Sequence, residues 1–259
     1  GVHANNIACW DGTTWFTMNG GINGTVRSMK LVGHDLYVGG YFQTAGGVSV
    51  SNIAKWNRTS WFSPGSGLPY IINNLELFQG VVYATGYLQN GSITSISAYN
   101  GTTWNQGFSS FDGGNINGML ATDSALLIYG NFNKLNGDTA YRLVSFNGTN
   151  FYTYPSRFYG VYSLALKDSS IYVAGNSNYI TNHPTIWKNG VWQTDSTKYM
   201  DRHTEKLFTY NDTLYSVLDV GGIGSYLHIK PVTSDSIGSI FAKFKYATQY
   251  YQRIYSVVS

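Results

Sequence analysis

One apolar strand pattern recurs six times along this 259-residue chain, and that recurrence limits its possible folds more than any other feature. The pattern alternates and ends near glycine: Leu36-Tyr37-Val38-Gly39-Gly40, Val82-Tyr83-Ala84-Thr85-Gly86 and Ile171-Tyr172-Val173-Ala174-Gly175. Weaker copies stand at 126–130, 214–217 and 254–257. The copies centred on Tyr37, Tyr83, Leu127, Tyr172, Tyr215 and Tyr255 lie 46, 44, 45, 43 and 40 residues apart. A second marker keeps the same period: an aromatic, a turn and another aromatic, as in Trp10-Asp11-Gly12-Thr13-Thr14-Trp15, Trp56 to Trp61, Tyr99 to Trp104, Phe146 to Phe151 and Trp187 to Trp192. Self-similarity at about 43 residues signals a repeat architecture in which each unit buries its faces only against its neighbours.

Each unit reads as four short strands. In the clearest one they are Val26 to Leu31, Asp35 to Phe42, Asn52 to Trp56 and Ser60 to Ser63, all rich in β-branched and aromatic residues. Asp11-Gly12, Asn100-Gly101 and Asn147-Gly148 predict type I′ hairpin turns, which require positive φ at both central residues. Four-stranded units at this period predict an all-β, six-bladed β-propeller spanning 1–259 as a single domain. Trp10, Trp56, Trp104 and Trp187 are expected to pack between blades. The opening stretch Gly1 to Trp10 matches Gly47 to Trp56, so the chain is expected to start inside a repeat. Strands near 6–18 and 240–258 would then share one composite blade that closes the ring, while 225–245 fits the pattern poorly.

Composition narrows the function. Charged residues are only 11% of the chain, less than half of the usual ~25%. The net charge of +3 is spread without a basic run, which argues against a nucleic-acid partner. No apolar stretch reaches the roughly 18 residues of a membrane span, so direct membrane insertion is not expected. The single cysteine, Cys9, excludes an intrachain disulfide.

The run through Leu36, Gly39-Gly40, Ala45-Gly46-Gly47-Val48, Asn52 to Trp56 and Ser60-Trp61 resembles the repeats of kelch-like propellers of the galactose-oxidase central-domain superfamily. It is most similar to the fungal cortical polarity-marker family and to bacterial cell-surface propeller repeats. That resemblance implies a secreted or cell-surface protein used for adhesion or as a scaffold. The matching residues are strand and turn positions, so no catalytic site is implied.

No catalytic constellation emerges from the residues, and no cofactor or metal is expected. His3, His34, His183, His203 and His228 occur singly. The acids follow no spacing that pairs two of them, and Asp112 to Gly118 departs from the calcium-loop pattern and reads as a polar turn. The residue after each glycine marker changes from unit to unit while the strand before it does not. Tyr41, Tyr87, Asn131, Asn176 and Asp219 are therefore the candidate ligand-binding residues, placed where loops converge at one end of a ring. Sequons at Asn23, Asn57, Asn90, Asn100, Asn147 and Asn211 fall at predicted turns or loops and are candidate N-glycosylation sites. The expectation is a non-enzymatic extracellular module that binds a protein or glycan at the cell surface. The alternatives are a carbohydrate-binding lectin and a glycoside hydrolase or lyase with acids assembled across blades.

Overall fold

The computed structural model describes residues 3–88, 94–155, 158–177, 184–196, 200, 204–220 and 226–232. Strand follows strand with no helix among them. A hairpin of β1 (Ala8–Trp10) and β2 (Trp15–Thr17) comes first. Next are β3 (Thr25–Val32), β4 (Asp35–Tyr41), a small hairpin of β5 (Thr44–Ala45) and β6 (Val48–Ser49), then β7 (Ile53–Trp56) and β8 (Trp61–Phe62). The sheet β3-β4-β7-β8 is an antiparallel meander. The second unit is β9 (Ile71–Phe78), β10 (Val81–Tyr87), β11 (Thr94–Tyr99) and β12 (Trp104–Asp112). The third is β13 (Ile116–Ala121), β14 (Leu126–Gly130), the hairpin β15 (Lys134–Leu135) and β16 (Asp138–Thr139), then β17 (Leu143–Phe146) and β18 (Phe151–Thr153). The fourth is β19 (Phe158–Lys167), β20 (Ser170–Ser177), β21 (Thr185–Lys188) and β22 (Val191–Thr194). β23 (Thr204–Tyr210), β24 (Thr213–Val220) and β25 (Tyr226–Pro231) form a three-stranded fifth sheet.

The four strands expected in the clearest unit are formed, with ends shifted by at most one residue. The small hairpins were not foreseen, and each reaches back to the preceding unit. β15 pairs with the end of β12 through Phe111↔Leu135, and Ala45 bridges to Ile22. The turns also differ from expectation. Gly12, Gly101 and Gly148 have positive φ but Asp11, Asn100 and Asn147 do not, so these are not type I′ turns. Instead the Asp or Asn side chain caps the loop. Asp11 Oδ1 accepts from the amides of Thr13 and Thr14, and Asn57, Asn100 and Asn147 do the same two and three residues on. Those donors hold the Asp11 carboxyl at about 2. Pairs with positive φ at both residues occur elsewhere, at Gln79-Gly80, Asn136-Gly137, Asp168-Ser169, Asn189-Gly190 and Asn211-Asp212.

Packing between units rests on the second aromatic of three markers. Trp61 is 3% exposed and its Nε1 donates to the Met18 carbonyl at 2.7 Å. Trp104 donates to Pro64 O and Trp192 to Pro155 O in the same way. Trp56 and Trp187, at the first aromatic position, are half-buried against Trp61 and Trp192. Trp10 is 48% exposed, with its ring against Trp15, and among the described residues it is not packed between blades as the sequence reading expected. It belongs to the hairpin whose expected partner segment, 240–258, lies outside the described residues.

Burial also sets a pH limit. Tyr129 and Tyr172 are buried, and desolvation pushes their phenols up to about 12, with Asp195 adding to the effect at Tyr172. Tyr70 is driven upward by the same cause. An unfolded tyrosine ionises near pH 10, so this stabilisation is complete below about 10 and is lost as pH rises toward 12. The denaturant midpoint is therefore expected to fall over that window, in step with tyrosinate absorbance. A flat midpoint would contradict it.

Candidate functional site

The first strands β3, β9, β13, β19 and β23 pack against one another in sequence. Polar side chains tie them together. Leu75 N donates to Ser28 Oγ, Leu207 N to Ser163 Oγ, and Asn74 Nδ2 to Asn117 O, while Lys30 pairs with the buried Glu76. Equivalent residues meet at nearly constant sequence separation, so the five strands run in the same direction as an inner arc.

Each of these strands carries a β-bulge at the same register. Arg27, Asn73, Asn117, Tyr162 and Glu205 are the residues the register skips at the shifts after Val26, Ile72, Ile116, Val161 and Thr204. A bulge re-aims the extra side chain and twists the strand. In the first four units a marker glycine stands opposite the start of the bulge, while the fifth forms its bulge with Leu218 opposite Thr204. A Cβ on Gly40, Gly86, Gly130 or Gly175 would lie 2.0, 1.9, 2.0 or 2.3 Å from the carbonyl oxygen of Thr25, Ile71, Asn115 or Gly160. Backbone approaches this close admit only glycine.

Two of the predicted site residues touch this set. Arg27 Nη1 donates to Asn73 Oδ1 at 2.7 Å and to the Tyr87 hydroxyl at 2.9 Å, with its guanidinium 5.5 Å from the centre of the Tyr87 ring. Asn117 Nδ2 donates to Val161 O at 2.8 Å and reaches Asn131 Oδ1 at 3.4 Å. Tyr41 is 44% exposed and its backbone pairs with Thr25. Asn176 and Asp219 hold the matching backbone positions on β20 and β24, opposite Gly160 and Leu227. The sequence reading missed Arg27, Asn73, Asn117, Tyr162 and Glu205. Their signal was two residues in a row that interrupt the apolar alternation, as in Val26-Arg27-Ser28-Met29 and Ile72-Asn73-Asn74-Leu75.

In an antiparallel meander the first and third turns lie at one end of the sheet, and the remaining connections lie at the other. The bulges, Tyr41, Tyr87 and Asn131 occupy the second end, here called the mouth, where Asn23 also lies, exposed. Asn57, Asn100, Asn147 and Asn211 are exposed at the opposite end. Contacts between units hold that end together, with Gln79 Nε2 on Asn147 O and Lys167 Nζ on Asp212. Asn90 lies outside the described residues. Among the described residues no group of three His, Cys, Asp or Glu side chains is placed to hold a metal ion. Among the described residues Glu76 pairs with Lys30, Asp35 with Lys55, and Asp168 and Asp212 with Lys167.

The chain matches no family profile and no curated protein sequence. Among solved structures it is similar to a chain of a nidogen/laminin complex, at 8% identity and a TM-score of 0.51, covering 80% of this chain and 76% of that one. The fold is a β-propeller. A Pyrococcus horikoshii acylaminoacyl peptidase also matches, at 10% identity and a TM-score of 0.47, over 92% of this chain and 40% of that one.

Proposed function

We propose that this propeller is a non-enzymatic extracellular or cell-surface binding module, and that its mouth is the contact surface. The observation that carries this is the bulge repeated at one register in five units while its residue changes from Arg to Asn, Asn, Tyr and Glu. Constant backbone with varied side chains at the converging end of the strands is how a scaffold presents a ligand-specific surface. Tyr41, Tyr87, Asn131, Asn176 and Asp219 extend that surface. The nidogen/laminin match adds one example of a chain with this fold in a complex between proteins. Together with the kelch-like resemblance, it supports secretion and a role in adhesion or surface assembly.

Residues 1–259 then form one six-bladed ring, with β1 and β2 completed by the 240–258 segment in a closing blade. Glycan at Asn57, Asn100, Asn147 and Asn211 would coat the opposite end and leave the mouth open. Because Asp11 caps its loop as Asn57, Asn100 and Asn147 do, Asn→Asp at those three sites removes the sequon and keeps the turn.

A second reading, a lectin, is favoured by the exposed Tyr41, Tyr141 and Tyr159 near the mouth, since flat aromatic faces and side-chain amides are what a sugar ring stacks on and bonds to. The test is a panel of glycans and extracellular proteins offered to the wild type, Tyr87→Ala, Asn131→Ala and, as the opposite-end control, Asn57→Asp. The expected result is loss of binding by about tenfold for the mouth variants and none for the control. Loss confined to the control, or turnover of a glycan probe, would overturn the assignment.

A further inference from the structure

Arg142 occupies a backbone site built for asparagine. Asn6, Asn52 and Arg142 stand at corresponding positions just before a third strand, with φ of 58°, 61° and 62°. Side chains other than glycine and asparagine avoid this left-handed region. Two backbone bonds are shared by the two complete sites. Asn52 N donates to Phe42 O and Asn52 O accepts from Gly40 N, while Arg142 N donates to Phe132 O and Arg142 O accepts from Gly130 N. The asparagines use that position to tie one unit to the next, through Asn6 Nδ2 to Ile22 O at 2.7 Å and Asn52 Nδ2 to Leu68 O at 3.0 Å. Arg142 makes the corresponding tie with Nε, to Tyr159 O at 3.1 Å.

The tie therefore does not require arginine, and arginine is conformationally the worse residue for it. What arginine adds lies beyond Nε. Its two terminal amino groups have no protein partner among the described residues, while the Nε bond fixes the plane of the guanidinium. Backbone strain is a pointer to function when the surrounding structure holds it in place, and Arg142 is half-buried. The neighbours have a consistent chemistry. Tyr141 and Tyr159 flank Arg142 and are 43% and 65% exposed. Asn131 and Asn117, linked to each other, lie beside Gly160, with Asn131 Oδ1 2.6 Å from where a Gly160 Cβ would stand.

We infer that Arg142 is the anion-reading residue of a saccharide subsite at the mouth, between the third and fourth sheets. Its fork takes the carboxylate or sulfate of an acidic sugar. Tyr159 and Tyr141 offer faces for the pyranose ring, and the Asn131 and Asn117 amides face its hydroxyls. An acidic peptide would meet the same guanidinium, but the exposed large side chains beside it are tyrosines rather than an aliphatic pocket for an apolar anchor. This subsite rests on the reading of the mouth as the binding surface.

Arg142→Asn separates recognition from folding, because it restores the residue type that the repeat uses there. The probes are a uronic-acid oligosaccharide, a sulfated neutral oligosaccharide, the unsubstituted neutral oligosaccharide and poly-glutamate, measured by titration calorimetry. The wild type is expected to bind at least one acidic saccharide and not the neutral one, and the arm that binds identifies the oxyanion. Arg142→Asn is expected to weaken that binding about tenfold or more, with a thermal midpoint equal to or above that of the wild type. Unchanged affinity in Arg142→Asn, binding of poly-glutamate alone, or no binding of any acidic saccharide would each overturn the subsite. The broader assignment of the mouth is judged separately by Tyr87→Ala against the glycan and protein panel.

Discussion

Trp61→Ala is expected to cost about 4 kcal/mol, the size of a buried tryptophan truncation, and to lower the thermal midpoint by roughly 10 °C at this chain length. The side chain is 3% exposed in a cluster with Ile22, Phe42, Ala45 and Val50. Its Nε1 is the donor to Met18 O, across the boundary with the preceding unit. Truncation opens a cavity and removes one of two donors to the Met18 carbonyl, which still accepts from Gly21 N, so the lost hydrogen bond adds only about 1 kcal/mol to the apolar loss. Two controls separate the terms. Trp61→Phe keeps most of the volume and loses only the hydrogen bond, so it should fall well short of the alanine variant. Phe62→Ala, the next residue on the same strand but 44% exposed, should cost far less. Equal losses at Phe62 and Trp61 in a thermal melt would refute the blade-boundary role.

Gly86→Ala is the second large effect. One methyl group is the smallest possible addition, yet its carbon would sit 1.9 Å from Ile71 O and 2.8 Å from both Ile71 C and the Tyr70 ring. A carbonyl held in a paired strand cannot withdraw by an ångström without breaking the ladder, so the cost is about 3 kcal/mol or more. The bulge at Asn73 is the element that must give way, and with it the Arg27 to Asn73 bond. Gly86→Ala should therefore lower stability and disturb the mouth together. Gly33→Ala is the comparison: nothing lies within 4 Å of its Cβ position and its only penalty is a positive φ of 61°, worth about 1 kcal/mol. Comparable urea midpoints for the two variants would contradict the close-approach argument.

Strand identity was legible because alternation is a local signal. Tyr37, Tyr83 and Tyr172 are buried as their pattern predicts. The aromatic markers were legible as well, but their two positions could not be ranked. Trp56 and Trp61 look alike in sequence, and only the 43-residue reach from Trp61 to Met18 shows which of them bridges units. The Asp-Gly and Asn-Gly pairs signalled turns correctly and turn type wrongly. The asparagine side chain captured two amides and held a four-residue loop, whereas Asp168-Ser169, with no glycine, adopts positive φ at both positions.

The candidate site was half legible. Tyr87 and Asn131 were reached because they follow the glycine marker, but Arg27, Asn73 and Asn117 sit inside what reads as an uninterrupted strand. From sequence alone came the period, the strands, the glycine positions and the low charge, because each depends on residues adjacent in the chain. Only the tertiary structure decided which residue each inner strand turns out of its ladder, and that Arg142 presents its guanidinium beside Tyr159. Both depend on carbonyls brought close from 15 to 17 residues away, Thr25 O under Gly40 and Tyr159 O beside Arg142, a proximity that exists only once the strands have paired and the units have packed.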